Sequence, residues 1–130
     1  MKLLNTIALC LSVSAPTLAG AESANDKMVS LQVTMQEYIA NTLVDGMVQY
    51  FDLSNGELKN LSPLNAHPMI LKVGSTYVVC SELVDQSGKQ VPLDVYIIAH
   101  GDEYSVIRSE INNRKPLSAL YKNGKAEKLN

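Results

Sequence analysis

A chain of 130 residues has room for one domain of ordinary size and not for two. Eleven Lys and Arg against thirteen Asp and Glu leave a net charge of −2, so there is no basic excess to neutralise nucleic-acid phosphates. The absence of Trp and a single Phe, Phe51, leave little aromatic surface for stacking on bases or sugars, with six Tyr the partial exception.

Residues 1–21 read as an export signal. Lys2 supplies the positive start, Leu3 to Val13 an apolar run too short to cross a bilayer, and Ala19-Gly20-Ala21 the small-x-small cleavage pattern. Ser14, Pro16 and Gly20 close the apolar run, which argues against a retained anchor. Leu9 precedes Cys10 where a lipidation motif needs a small residue. Cleavage after Ala21 predicts a periplasmic or secreted domain whose one remaining cysteine, Cys80, can form no internal disulfide. Such a domain must be held by its core, which a chain of this size can supply.

Glu22 to Asp26 is polar and is expected to be a flexible spacer, with Asp26 capping a helix over residues 27–43. Met28, Leu31, Met35, Tyr38, Ile39 and Leu43 fall on one stripe of that helix. Methionines at helical spacing are gap-filling core residues before they are copper ligands. Asp45-Gly46 ends the helix, Met47 to Leu53 and Glu57 to Leu61 form a hairpin about Ser54-Asn55-Gly56, and Met69 to Val73 adds a short strand.

Thr76 to Ile111 reads as three long antiparallel strands. A two-residue turn at Ser87-Gly88 sets Cys80 opposite Val95, Val78 opposite Ile97 and Val84 opposite Val91. Alternation then predicts one face bearing Val78, Cys80, Val84, Val91, Leu93, Val95, Ile97 and Ala99, broken only by Glu82. A three-residue turn, Gly101 to Glu103, adds Ile107 and Ile111 to that face, and the long helix is expected to cover it. Pro116 opens a short helix, PLSALYK, which ends at Asn123-Gly124, and a charged tail follows. The fold class predicted is α+β: an N-terminal helix packed on a curled antiparallel sheet, made of a three-stranded meander and a smaller hairpin, with a short C-terminal helix.

The opposite face of the meander is mixed and carries Tyr77, Ser81, Asp94, Tyr96, His100, Tyr104, Arg108 and Glu110. Ser81, Asp94, Tyr96, Arg108 and Glu110 are the candidate ligand-binding set, since acid, base and hydroxyls on neighbouring strands can floor a polar site. The competing reading is a solvated face with cross-strand ion pairs. His67, Met69 and Cys80 are the alternative, a soft-metal (copper) or thiol site, because imidazole, thioether and thiolate are copper's ligands. Against thiol catalysis, Cys80 is mid-strand among aliphatic neighbours, where a thiol is inert. No nucleotide loop, EF-hand spacing or Ser-His-Asp order is present, so no cofactor is expected.

The segments LVDGMVQYFDLSNGEL, AHPMIL, TYVVCSELVDQSGKQVPLDVYI and INNRKPLSALYKNGK resemble small exported bacterial proteins to which no activity is attached, and no functional residue is carried over. A helix followed by a curled antiparallel sheet is also similar to a cystatin-like roll, a likeness of fold alone. The Gln-x-Val-x-Gly loop by which cystatins bind proteases is absent, so the resemblance implies no protease inhibition here. The function expected is non-enzymatic: an exported domain that binds a small ligand or an envelope protein through its polar sheet face, with no nucleic acid partner.

Overall fold

The computed structural model describes residues 22–64 and 68–130. The export signal and His67 therefore lie outside the described residues. The fold is α+β, in the element order α1 (Ala24–Thr42), β1 (Leu43–Val44), β2 (Met47–Asp52), β3 (Glu57–Pro63), β4 (Met69–Val73), β5 (Thr76–Val84), β6 (Gln90–His100), β7 (Glu103–Ile111), α2 (Lys115–Lys122) and β8 (Glu127–Lys128).

α1 starts three residues earlier than the spacing suggested. Ser23, not Asp26, is its N-cap, and the Ser23 hydroxyl accepts from the Asp26 N–H at 3.2 Å. Glu22 is tied down as well: its carboxylate accepts from Ser30 at 2.8 Å and from the Tyr104 hydroxyl at 2.7 Å. Asp45 and Gly46 both have positive φ, 52° and 76°, and form a two-residue hairpin turn pairing Leu43 with Val48.

β5 is the hub. One edge pairs with β6 along its whole length, and the other is shared by β4 near its start and β3 near its end. Pro63 faces Leu83 and Met69 faces Cys80, six steps along one chain against three along the other, so β3 and β4 are one interrupted edge. β7 extends the sheet beyond β6, β2 and β1 extend it beyond β3, and β8 closes the free edge of β4.

The register of the meander departs from expectation at both turns. Cys80 faces Asp94, Val78 faces Tyr96 and Val84 faces Gln90. The cause is a three-residue loop. Asp85 N–H bonds to Lys89 C=O at 2.9 Å, Gly88 takes φ 84°, and the Asp85 carboxylate accepts from Ser87 N–H, Ser87 hydroxyl and Lys89 N–H at 2.7–2.9 Å. One extra residue in the turn moves all of β5 by one pleat. At the second turn the loop is shorter than expected: His100 faces Glu103 across Gly101-Asp102. A bulge between the Tyr96 and Ile97 pairings then absorbs one residue of β7, restoring Tyr96 opposite Arg108 and Leu93 opposite Ile111. Ile107 falls at the bulge and is 56% exposed, whereas Val106 and Ile111 pack inward.

The sheet consequently has two cores. On the inner face α1 contributes Leu31 and Met35, supported by Met28, Tyr38 and Ile39 and by Leu43 of β1, against Val79, Leu83, Leu93, Val95 and Ile97. Tyr38 and Ser109 share a hydrogen bond of 2.8 Å across this layer. On the outer face Leu71, Val78 and Cys80 pack with Leu117 of α2 and Ala126 of the tail. Val78 and Cys80 were expected beneath α1; they lie on the side opposite Val95 and Ile97.

Candidate functional site: a cleft beneath the C-terminal helix

The outer face is set by the corrected parity of β5 and by what α2 brings to it. Pro116 in the first turn and Asn123-Gly124 at the end bound α2, and Leu117 is its buried residue. Arg114, the residue just before the helix, reaches back to the sheet. Its Nε donates to Asp94 Oδ1 and Oδ2 at 3.0 and 3.2 Å and its Nη2 to Asp94 Oδ1 at 2.8 Å. Nη1 donates to Glu82 at 2.6 Å, and Nη2 also to Ser81 C=O at 2.9 Å. Burial opposes the charge on Arg114, but the bonds to Asp94 and Glu82 outweigh it and hold the guanidinium protonated.

Cys80 lies across the ladder from Asp94 and is 5% exposed. Burial first, then the Asp94 carboxylate, pushes its thiol up to about 12. At neutral pH Cys80 is therefore a neutral thiol with little nucleophilic character. Met69 stands directly opposite Cys80 on β4 and shares its face. With Leu71, Leu117, Ser118, Tyr121, Lys122 and Arg114 these residues enclose a cleft of about 170 Å³. Leu71, Cys80 and Leu117 line its buried part, whereas Met69 and Tyr121, 42 and 52% exposed, stand open to solvent at its lip.

The residues expected to bind a ligand are only partly brought together. Asp94 and Glu110 face each other on β6 and β7, as do Tyr96 and Arg108. Ser81 does not join them; it shares the inner-face parity of Val79 and Leu83 and is buried. Asp94 is 1% exposed and engaged by Arg114, so its carboxylate is a structural anchor for α2. Arg108 and Glu110 bond to each other along β7, and Asn113 donates to Glu110 at 3.1 Å. Asn113 first, then Arg108, holds the Glu110 carboxyl below the usual carboxylate range. Of the soft-metal set, Met69 and Cys80 meet. Among the described residues no group of three His, Cys, Asp or Glu is placed to hold a metal.

Arg114, Leu117 and Tyr121 escaped the sequence reading. Two signals pointed to them. Leu117, Leu120 and Tyr121 make a helical stripe that needs an apolar surface, and the run Tyr77-Val78-Val79-Cys80 offers one on both faces of its strand.

The architecture and the cleft together define a small α+β domain with a curled, mostly antiparallel sheet covered by a helix on each face. Comparison of the chain with protein-family models, curated proteins and solved structures finds no match. Among the described residues no helix is long and apolar enough to cross a membrane.

Proposed function

We propose that this protein is a non-catalytic interaction domain, delivered outside the cytoplasm, that receives an apolar group of its partner in the cleft beneath α2. The observation that carries this reading is the exposure of Met69 and Tyr121 at the lip of a recess floored by the buried side chains of Leu71, Cys80 and Leu117 and rimmed by Arg114, Ser118 and Lys122. An isolated exposed hydrophobic residue is ordinary; two flanking a concave apolar floor are the form of a docking site. The cleft lies on the face of β6 that carries Asp94 and Tyr96, with Cys80 rather than Ser81 as its β5 residue and with Met69 and Tyr121 at its lip. The neutral thiol of Cys80 suits the floor of such a cleft and is poorly suited to nucleophilic work.

An anionic apolar dye such as anilinonaphthalene sulfonate tests the cleft. The native protein should bind it with a fluorescence gain that Tyr121→Asp and Met69→Asp each abolish, with the far-ultraviolet circular dichroism unchanged. Dye binding that survives both substitutions removes the cleft as the site. Delivery is supported by the character of residues 1–21. An exported form whose sequence starts at Glu22 is expected, and accumulation of the protein in the cytoplasm would refute it.

The pairing of Met69 with Cys80 favours one second reading, a soft-metal site. Directly opposed strand residues bring their side chains within roughly 5 Å. One equivalent of copper(I) bound to the native protein, and lost in Met69→Leu, would support this reading. No binding in that titration removes it.

A further inference from the structure

The recess beneath α2 has a counterpart on the same molecule. The β2–β3 turn carries Leu53, 88% exposed, above Phe51 and Leu58, which face each other across the hairpin and are 55 and 59% exposed. This knob is held in one shape. Asp52 accepts from the Ser54 N–H at 2.9 Å, from the Ser54 hydroxyl at 2.5 Å and from Lys59 at 2.9 Å. Gly56 N–H bonds to Asp52 C=O at 2.7 Å, and the Asn55 side chain accepts from Glu57 N–H at 3.0 Å. An apolar projection already ordered in the free protein loses little further entropy on docking.

Charge is divided in the same sense. Residues 114–130 hold five Lys and Arg against Glu127 alone, whereas residues 22–113 hold twelve carboxylates against five Lys and Arg. At the cleft the separation is sharper still. Lys122 lines it, and Lys128 faces Leu71 across the β4–β8 ladder and so shares the cleft's side of the sheet. Glu127 pairs with Lys72 one step along and points to the other side. Arg114 is occupied by Asp94 and Glu82, so the exposed charge at the rim is positive. The knob, by contrast, carries Glu57 at its base.

We propose that the protein associates with further copies of itself head to tail, the Leu53 knob of one copy entering the cleft beneath α2 of the next. The proposal rests on the cleft being a docking site and names its occupant. A dry apolar cavity of ~150 Å³ accepts a guest the size of benzene, so the cleft's volume of about 170 Å³ suits a single leucine side chain. The contact joins two different surfaces. Each pairing leaves one knob and one cleft unused, and growth continues until a ring closes or a defective copy ends it.

Sedimentation velocity on the protein purified in its exported form tests this. Species larger than the monomer should grow with concentration, and should recede as added salt shortens the screening length from ~30 Å at 0.01 M to ~3 Å at 1 M. Leu53→Asp and Tyr121→Asp alter exposed side chains, so both variants should keep the native circular dichroism. Each should weaken association by about tenfold or more, the loss typical of a central anchor. Mixed in equal amounts, they retain one intact knob and one intact cleft between them and should give a dimer and nothing larger. A wild-type protein still monomeric at a concentration on the order of 100 µM overturns the proposal. So does a mixture no more associated than either variant alone. Dye binding in the cleft of a monomeric wild type would overturn self-association while leaving the docking site standing; loss of both would remove the two together.

Discussion

Arg114 fastens the C-terminal helix to the sheet through side chains the chain supplies twenty and thirty-two residues earlier, Asp94 and Glu82. Removing one partner of a buried pair leaves the other charged and unsatisfied, which costs about 3–5 kcal/mol. Arg114 retains 29% exposure against 1% for Asp94, so the lower end applies. Arg114→Met should lower the free energy of unfolding by about 3 kcal/mol in urea. Asp94→Leu combined with Arg114→Met should be less destabilised than Arg114→Met alone, because the double change leaves no buried charge without a partner at that point. Equal stability of the two would show that Asp94 gains nothing from Arg114.

Cys80 gives a second expectation, in alkali. Its thiol is raised to about 12 in the fold, chiefly by burial and then by Asp94, while an unfolded thiol titrates near 8.5. The protonated thiol is thus favoured in the folded state. Its contribution to stability is complete below pH ~8.5 and is lost as pH rises through the interval up to about 12. The unfolding free energy should fall by up to ~1.4 kcal/mol per pH unit above pH 9, and Cys80→Ala should flatten that slope. Burial, and then its hydrogen bond to Glu22, raises Tyr104 to about 12 as well, so the residual slope in the variant should begin only near pH 10. An identical slope with and without Cys80 would contradict the burial of the thiol.

Among the elements, the turns decide which side chains meet. Gly88 sits at φ 84°, where a residue with a Cβ is strained by about 1–2 kcal/mol. Gly88→Ala should therefore destabilise by about that amount, with nothing nearby for the new methyl to strike. Ile107 offers a different test. The bulge takes up one residue, so deleting Ile107 leaves every pairing from Tyr96–Arg108 to Leu93–Ile111 intact. A folded shortened chain with unchanged circular dichroism is expected; failure to fold would assign the bulge a structural role of its own.

These elements also measure how far the sequence could be read. The helices and strands were legible because their periodicity is strong, and Met28 to Leu43 packs where its stripe implied. The parity of β5 was not legible from alternation, since Val78, Val79 and Cys80 are apolar in both registers. Yet Glu82 stood as the lone charge in the expected apolar layer, and that anomaly disappears in the true register, where it meets Arg114. The engagement of Asp94 by Arg114 was not legible either. Asp94 was read beside Arg108, its diagonal neighbour on the next strand, whereas its partner Arg114 lies beyond that strand, and long-range ion pairs leave no local pattern.

Taken whole, the molecule relies on carboxylates satisfied locally at its turns and edges. The Ser54 hydroxyl first, then Lys59, brings Asp52 down to about 2. Ser87 and Lys89 lower Asp85, and Asn113 and Arg108 lower Glu110. Each is lowered in the fold relative to the unfolded chain, so each adds stability above pH ~4 that is lost as pH falls below it. Acid unfolding followed by circular dichroism should therefore begin below pH ~4. Ser54→Ala with Lys59→Met should move the transition to higher pH, and an unmoved transition would mean that Asp52 plays no part in it.

The seal on the β4 edge has a consequence for the order of events in synthesis. Leu129 N–H bonds to Ile70 C=O at 2.9 Å, and Ala126 completes the layer over Leu71. Both follow every other described element in a polypeptide made from its N-terminus. A nascent chain halted before Lys125 would hold both helices and all the long strands, with the β4 edge still unpaired and Leu71 lacking its Ala126 cover. Closure of that edge is thereby deferred until residues 126–129 have emerged, and before then its unpaired N–H and C=O groups are open to pairing with another strand.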